Sequence, residues 1–212
     1  MFRFQSGPGR VQLLELYTSE GCSSCPPAES WFSNFKKDPA LWKQIVPISF
    51  HVDYWDHIGW KDPLASRRFS ERQRAYAASW NKDTVYTPGF VLNGKEWKGW
   101  FSQQRPATTS PQAPGLLSIE STDGTTWTLQ FKPDPAESRS SFYLHAVSLG
   151  FDQSIDVKAG ENKGRRLSHD FVVLETVTQP AVRKAEAYES VLRFKPRPSG
   201  ATSQTSAVID AV

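Results

Sequence analysis

Over the first hundred residues, short apolar runs alternate with one-sided helical patterns; beyond them the pattern changes to evenly spaced strand-like runs. The run 11–17 (VQLLELY) is rich in Leu and Val and predicts a buried strand. Ala28, Trp31, Phe32 and Phe35 then recur at helical spacing, giving one apolar face to a helix of roughly ten residues. A second apolar run, 45–52 (IVPISFHV), follows closely enough to complete a right-handed βαβ unit, which implies a parallel sheet. Ala65, Phe69, Tyr76 and Trp80 mark a second helix with Arg and Glu on its other side. The stretch 85–94 (VYTPGFVLNG) predicts a strand entered through Pro88 and closed by the two-residue turn Asn93-Gly94, with its partner strand at 96–100.

Prolines 106, 111 and 114 among Ser, Thr and Ala make 103–115 a linker rather than a helix. Beyond it, 116–121, 126–131, 142–149, 170–178 and 188–194 are short runs with β-branched and aromatic residues, and Asp123-Gly124 is a hairpin signal between the first two. Such spacing predicts a small antiparallel sandwich or barrel. The expected organisation is an α/β domain over 1–105, a linker over 106–115, a smaller antiparallel β domain over 116–195 and a flexible tail over 196–212. A length of 212 residues suits two modest domains.

Composition narrows the function classes. Hydrophobic residues at 38% and charged residues at 22% fit a globular chain in water. A net charge of +3, with basic residues scattered among acidic ones, does not suggest nucleic-acid binding, and the stretch 67–74 reads as a solvated helix face. No run approaches the roughly 20 apolar residues of a membrane span. The first ten residues lack the apolar stretch of a secretory signal, so the chain as it stands is expected in the cytoplasm, or in the periplasm if an export signal has been removed.

The two cysteines, Cys22 and Cys25, are three positions apart, too close to staple a fold. Reactivity explains them better. Pro26 and Pro27 favour the first turn of a helix, so the order is strand, CxxC, helix. That places the thiols where free N–H groups and the helix dipole lower a cysteine pKa. Cys22, the outer one, is the expected nucleophile and Cys25 the resolving thiol.

Strand, CxxC at a helix start, strand, helix and then Thr87-Pro88 before a β-hairpin together resemble the thioredoxin superfamily over residues 11 to 102. The resemblance implies a thioredoxin-like N-terminal domain in which Pro88 is the cis-proline element beside the cysteines and the backbone of Thr87 binds substrate peptide. The segments GCSSCPPA (21–28) and HVDYWD (51–56) are similar to those of a largely uncharacterised bacterial family of thioredoxin-like proteins. Thioredoxin itself carries Trp where this chain has Gly21, and Gly-Pro where it has Ser23-Ser24, which leaves the direction of electron flow open.

Glu15, seven residues before Cys22, is the candidate buried acid that exchanges protons with the resolving thiol. His51, Asp53, Asp56 and His57 cluster with Tyr54, Trp55 and Trp60 after the second strand, at the end of a parallel sheet where ligands bind. Tyr54 and Trp55, with Gly21, Ser23 and Ser24, complete the candidate substrate contacts. His145 and His169 read as hydrogen-bonded structural residues, and 160–166 (GENKGRR) as a solvated turn.

Three functions stay open. The first is thiol-disulfide exchange with a protein or small-molecule substrate, needing no organic cofactor. The second is soft-metal (copper) binding through Cys22, Cys25 and either His51 or His57. The third is an interaction module with vestigial cysteines, which fold analogy does not exclude.

Overall fold

In this computed structural model the described residues are 1–107 and 113–194, with the backbone of 203–210. Along the chain run β1 (Phe2–Gln5), β2 (Gln12–Thr18), α1 (Cys25–Ser33), β3 (Ile45–His51), α2 (Arg67–Ser79), β4 (Gly89–Leu92) and β5 (Lys95–Glu96). There follow β6 (Gly115–Ser121), β7 (Thr126–Pro133), β8 (Tyr143–Gly150), β9 (Gln153–Asp156), β10 (Arg166–His169), β11 (Val172–Pro180), β12 (Val182–Lys184), β13 (Ala187–Arg193) and β14 (Ser203–Asp210). The protein is mixed α/β with sheet predominating.

Two compact units share these elements. One comprises Gln12–Thr108 and Gly150–Val173. In it β2 pairs with β3 in parallel and with β4 antiparallel, β5 pairs antiparallel with β4, and Val172 at the start of β11 lies opposite Ser49 of β3. β2–α1–β3 is the expected βαβ unit. Side chains alternate between sheet faces with a period of two. Leu16 and Ser49 therefore face α1, while Tyr17 and Phe50 stack on the other face at 5.4 Å and meet Phe69 of α2, 5.0 Å from Phe50. Helix α1 forms because Pro26 and Pro27 fit its first turn and because Ala28 and Phe32 are buried on one stripe.

The second unit comprises Met1–Val11, Thr109–Leu149 and Leu174–Val212. Its antiparallel sheet has the order β1-β6-β7-β13-β12. Trp127, Leu129 and Phe131 of β7 and Tyr188 and Leu192 of β13 point inward and pack on Phe142, Leu144 and Ala146, an arrangement consistent with a sandwich. Phe142 meets Phe131 and Tyr188 edge-on at 5.1 and 4.7 Å.

Several expectations are corrected. A single boundary at 106–115 fails in two places: residues 2–5 pair with β6, and 150–173, including the hairpin β9–β10, belong with the CxxC unit. Such exchanges depend on pairing between segments far apart in sequence, which local pattern does not carry. Positions 108–112 of the linker lie outside the described residues. So does the tail 196–212 apart from β14, where Ser/Thr-rich sequence with Val208 and Ile209 supplies a strand beside β8 rather than a loose end. The hairpin turn Asn93-Gly94 is present, both residues in the left-handed region at φ 50° and 79°. Its second strand ends at Glu96 rather than running to Trp100, because Trp97 and Trp100 turn onto Phe90, with ring centroids 5.9 and 5.7 Å away.

Candidate functional site

Cys25 is the first residue of α1, and a disulfide joins it to Cys22, with the two Cα atoms 5.5 Å apart. The Cys25 N–H donates to the Cys22 carbonyl at 3.2 Å, closing the turn. Both cysteines are buried, whereas Ser23 and Ser24 are exposed. A disulfide sulfur has no proton to give, so the Ser24 hydroxyl is the donor across the 3.2 Å to Cys22 Sγ. Cys22 Sγ also lies 3.7 Å from the Thr87 carbonyl oxygen.

The Thr87–Pro88 peptide is cis. Trp55 Nε1 donates to Thr87 Oγ1 at 2.7 Å, and Gln73 of α2 donates to the Tyr86 carbonyl at 2.8 Å while accepting from the Tyr54 hydroxyl at 3.1 Å. Burial raises the Tyr54 hydroxyl well above the usual phenol pKa, so it remains a donor. A Cβ on Gly89 would lie 2.7 Å from the Tyr86 carbonyl oxygen and 2.9 Å from Gln73 Nε2, so glycine is required there. Gly21 has a similar reason: a Cβ would come within 3.0 Å of Trp55 Cβ. Gly21, Cys22, Ser24, Tyr54, Trp55, Thr87 and Pro88, far apart in sequence, are thus brought together.

Glu15 is corrected. It is fully buried, but it shares the alternation of Tyr17 and faces α2 rather than α1. There it accepts from the Tyr17 hydroxyl at 2.7 Å, from Arg72 at 2.8 and 3.0 Å and from the Tyr76 hydroxyl at 2.8 Å. Every side of the carboxylate is committed away from the cysteine helix. The buried acid on the cysteine side is Glu29, one turn after Cys25 on α1.

Glu29 belongs to a buried charged network with Glu20, His51, Asp62 and His169. His169 lies between Glu29 Oε2 at 3.0 Å and Glu20 Oε1 at 3.1 Å, and His51 Nδ1 is 2.7 Å from Asp62 Oδ2. Trp60 Nε1 donates to Glu20, the Glu20 N–H donates to Asp62, and the Thr18 hydroxyl donates to Glu29. Burial pushes the Glu29 carboxyl up, but the His169 and His51 charges and the Thr18 hydroxyl outweigh it and hold the pKa below the usual range. Asp62 is likewise held low by His51 against the effect of burial. For His169 burial acts downward, yet Glu29 and Glu20 push its pKa up to about 10.

That shift has a stability consequence. His169 titrates higher folded than its ordinary value of 6.5, so the folded chain holds the extra proton. Its contribution, at most a few kcal/mol, is complete below about pH 6.5 and is lost as the pH rises towards 10. Denaturation midpoints measured from pH 6 to 10 should fall, and His169→Gln should flatten the fall; an equal slope in both proteins would refute the assignment.

The cysteine-histidine metal set is not assembled. Exposed His57 turns its Nδ1 to the Tyr54 carbonyl at 2.8 Å, and His51 faces His169. Among the described residues, the group placed to hold a cation is Glu29, His51 and His169, without either cysteine. The 160–166 segment is a largely exposed turn, as expected, but two of its residues reach the cysteine loop. Asn162 is buried and donates to the Glu20 and Cys22 carbonyls at 2.8 and 2.9 Å, and Glu161 accepts from the Ser23 N–H at 2.9 Å. Asn162 and His169 lie more than a hundred positions from the motif and gave no local signal. Glu29 did: it is a carboxylate within the apolar stripe of a cysteine-bearing helix.

A mixed α/β unit with a disulfide at a helix start, facing a cis-proline loop, is the class the geometry defines. The chain belongs to the family described as protein of unknown function (DUF1223), whose model matches residues 13–210. It is similar to the crystal structure of protein AGR_C_4864 from Agrobacterium tumefaciens, at 25% identity and a TM-score of 0.63, over 86% of this chain and 78% of that one. In fold it is also similar to HBP35 of Porphyromonas gingivalis, at 16% identity and a TM-score of 0.61, over 90% of this chain and 65% of that one. No curated protein matches it. Among the described residues no helix is long and apolar enough to cross a membrane.

Proposed function

We propose that the CxxC unit is a thioredoxin-like domain and that the protein exchanges disulfides with a protein or small-molecule partner through Cys22 and Cys25. The observation that carries this reading is the Cys22–Cys25 disulfide at the N-terminus of α1, with Cys22 Sγ 3.7 Å from the carbonyl that precedes cis-Pro88. An extended substrate laid along the Thr87 backbone brings its sulfur to Cys22 rather than Cys25. In the oxidised chain a substrate thiolate attacks Cys22 Sγ, the disulfide breaks, and its electron pair leaves with Cys25 as a thiolate. A second substrate thiolate then attacks the substrate sulfur of the mixed disulfide. Cys22 leaves reduced and the substrate departs as a disulfide. The reverse sequence reduces a substrate disulfide.

The helix terminus supports the chemistry, because unpaired N–H groups and the dipole stabilise whichever cysteine is the thiolate. Trp55 and Tyr54 act as positioning residues through Thr87 and Gln73. The test is a glutathione redox titration of the full chain, read by alkylation and mass spectrometry. A reversible two-electron transition confined to Cys22 and Cys25 is expected, and its potential gives the direction of flow. A pair that stays oxidised across the whole range would overturn the reading.

A further inference from the structure

On the α1 side of the sheet is a cavity of about 10 Å³, lined by Glu29, His51 and His169 with Leu16, Phe32 and Ser49 among its walls. It has room for one water-sized occupant. One buried ring nitrogen at this cavity, His51 Nε2, has no hydrogen-bond partner, and His169 Nδ1 is met by the Glu29 carboxylate, Oε2 3.0 Å away. A buried polar atom left unsatisfied is costly, so an orphaned imidazole nitrogen at the wall of a cavity, beside a charged pair, calls for an occupant.

The remaining nitrogen of each ring is already held by a carboxylate. Asp62 takes His51 Nδ1 and Glu20 takes His169 Nε2, and these acids are fixed in turn by Trp60 and by the Glu20 and Leu64 N–H groups. Carboxylates behind imidazoles are the outer shell by which metal-binding histidines are oriented. We propose that Glu29, His51 and His169 bind a divalent cation of the zinc type. One ligand atom from each residue already lies within 4.8 Å of the others. Small side-chain movements into the cavity bring them to the roughly 2.0–2.1 Å bonds of such an ion.

Two imidazoles and one carboxylate suit zinc, or cobalt as its spectroscopic substitute, better than copper(I), which favours thiolates. The site also balances charge. Three carboxylates (Glu20, Glu29 and Asp62) surround two imidazoles, and a divalent ion offsets their excess negative charge. The site lies behind the cysteines, on the next turn of α1, and does not depend on their oxidation state or on the exchange reaction proposed above.

The experiment uses the full chain with its disulfide intact, stripped by a chelator and titrated with Zn(II) against a chromophoric competitor and separately with Co(II). One equivalent of each should bind, also in the Cys22→Ser/Cys25→Ser chain, and the Co(II) spectrum should show ligand-field bands without thiolate charge transfer. Glu29→Gln and His169→Gln, with folding checked by circular dichroism, should weaken Zn(II) binding about tenfold to a hundredfold or more. Should a variant not fold, the Co(II) spectrum of the native sequence still decides by ligand type. No stoichiometric binding, binding only after the disulfide is reduced, or affinity unchanged in both folded variants would overturn the proposal.

Discussion

Cys25→Ser is expected to accumulate a covalent mixed disulfide between Cys22 and a substrate thiol, whereas Cys22→Ser is expected to form none. The asymmetry follows from position and not from burial, since both cysteines are buried: Cys22 Sγ is the sulfur beside the Thr87 carbonyl, whereas Cys25 is the first residue of α1. In the proposed exchange, the Cys22 thiolate attacks a substrate disulfide and expels one substrate sulfur. Without Cys25 nothing within the chain can displace the second. Turnover should fall in both variants by a factor on the order of 10³ or more, as when an enzyme loses its nucleophile. Non-reducing electrophoresis with mass spectrometry reads the adduct. Equal trapping by both variants would mean that either sulfur is attacked, and trapping only by Cys22→Ser would reverse the roles.

Arg72→Met is expected to destabilise the chain by about 2–3 kcal/mol, below the scale for breaking a fully buried ion pair because the Arg72 side chain is 33% exposed and partly screened by water. Met stands in for the arginine stem alone. What it removes is the guanidinium, whose carbon lies 5.5 and 5.2 Å from the Phe50 and Tyr76 ring centres and which donates to the Tyr76 hydroxyl at 2.9 Å, and with it the two-point grip on Glu15 at 2.8 and 3.0 Å. Glu15 is left a fully buried carboxylate with the Tyr17 and Tyr76 hydroxyls. Urea denaturation measures the loss. Glu15→Leu with Arg72→Met should recover much of it, because no uncompensated charge remains. A single-variant loss below about 1 kcal/mol would show that water reaches Glu15 and that the pair does not lock α2 to the sheet.

The same pair shows why sequence alone sets Glu15 on the wrong side of the sheet. A carboxylate in an apolar run signals burial, and Glu15 is buried, but the side it faces depends on which helix covers which face of the sheet. The second helix binds it through Arg72, a residue that reads as part of a solvated basic stretch. His169 is the mirror case. Taken alone it reads as an ordinary structural histidine, and only the fold sets it between Glu29 and Glu20 and opposite His51.

Local chemistry was legible where one short segment carries it. The cysteine spacing, Pro26 and Pro27 announce thiols at a helix start, apolar periodicity marks β2, α1, β3 and α2, and Asn93-Gly94 marks a hairpin. These depend on steric and hydrophobic preferences of neighbouring residues, which act before any tertiary contact exists. Other features come from contacts between segments distant in the chain: the return of 150–173 to cover the cysteine loop, the pairing of 2–5 with β6 and the gathering of Glu20, Glu29, His51, Asp62 and His169. Their energies come from burial and from charges held at fixed distances in a poorly polarisable interior, so only the tertiary structure could decide them.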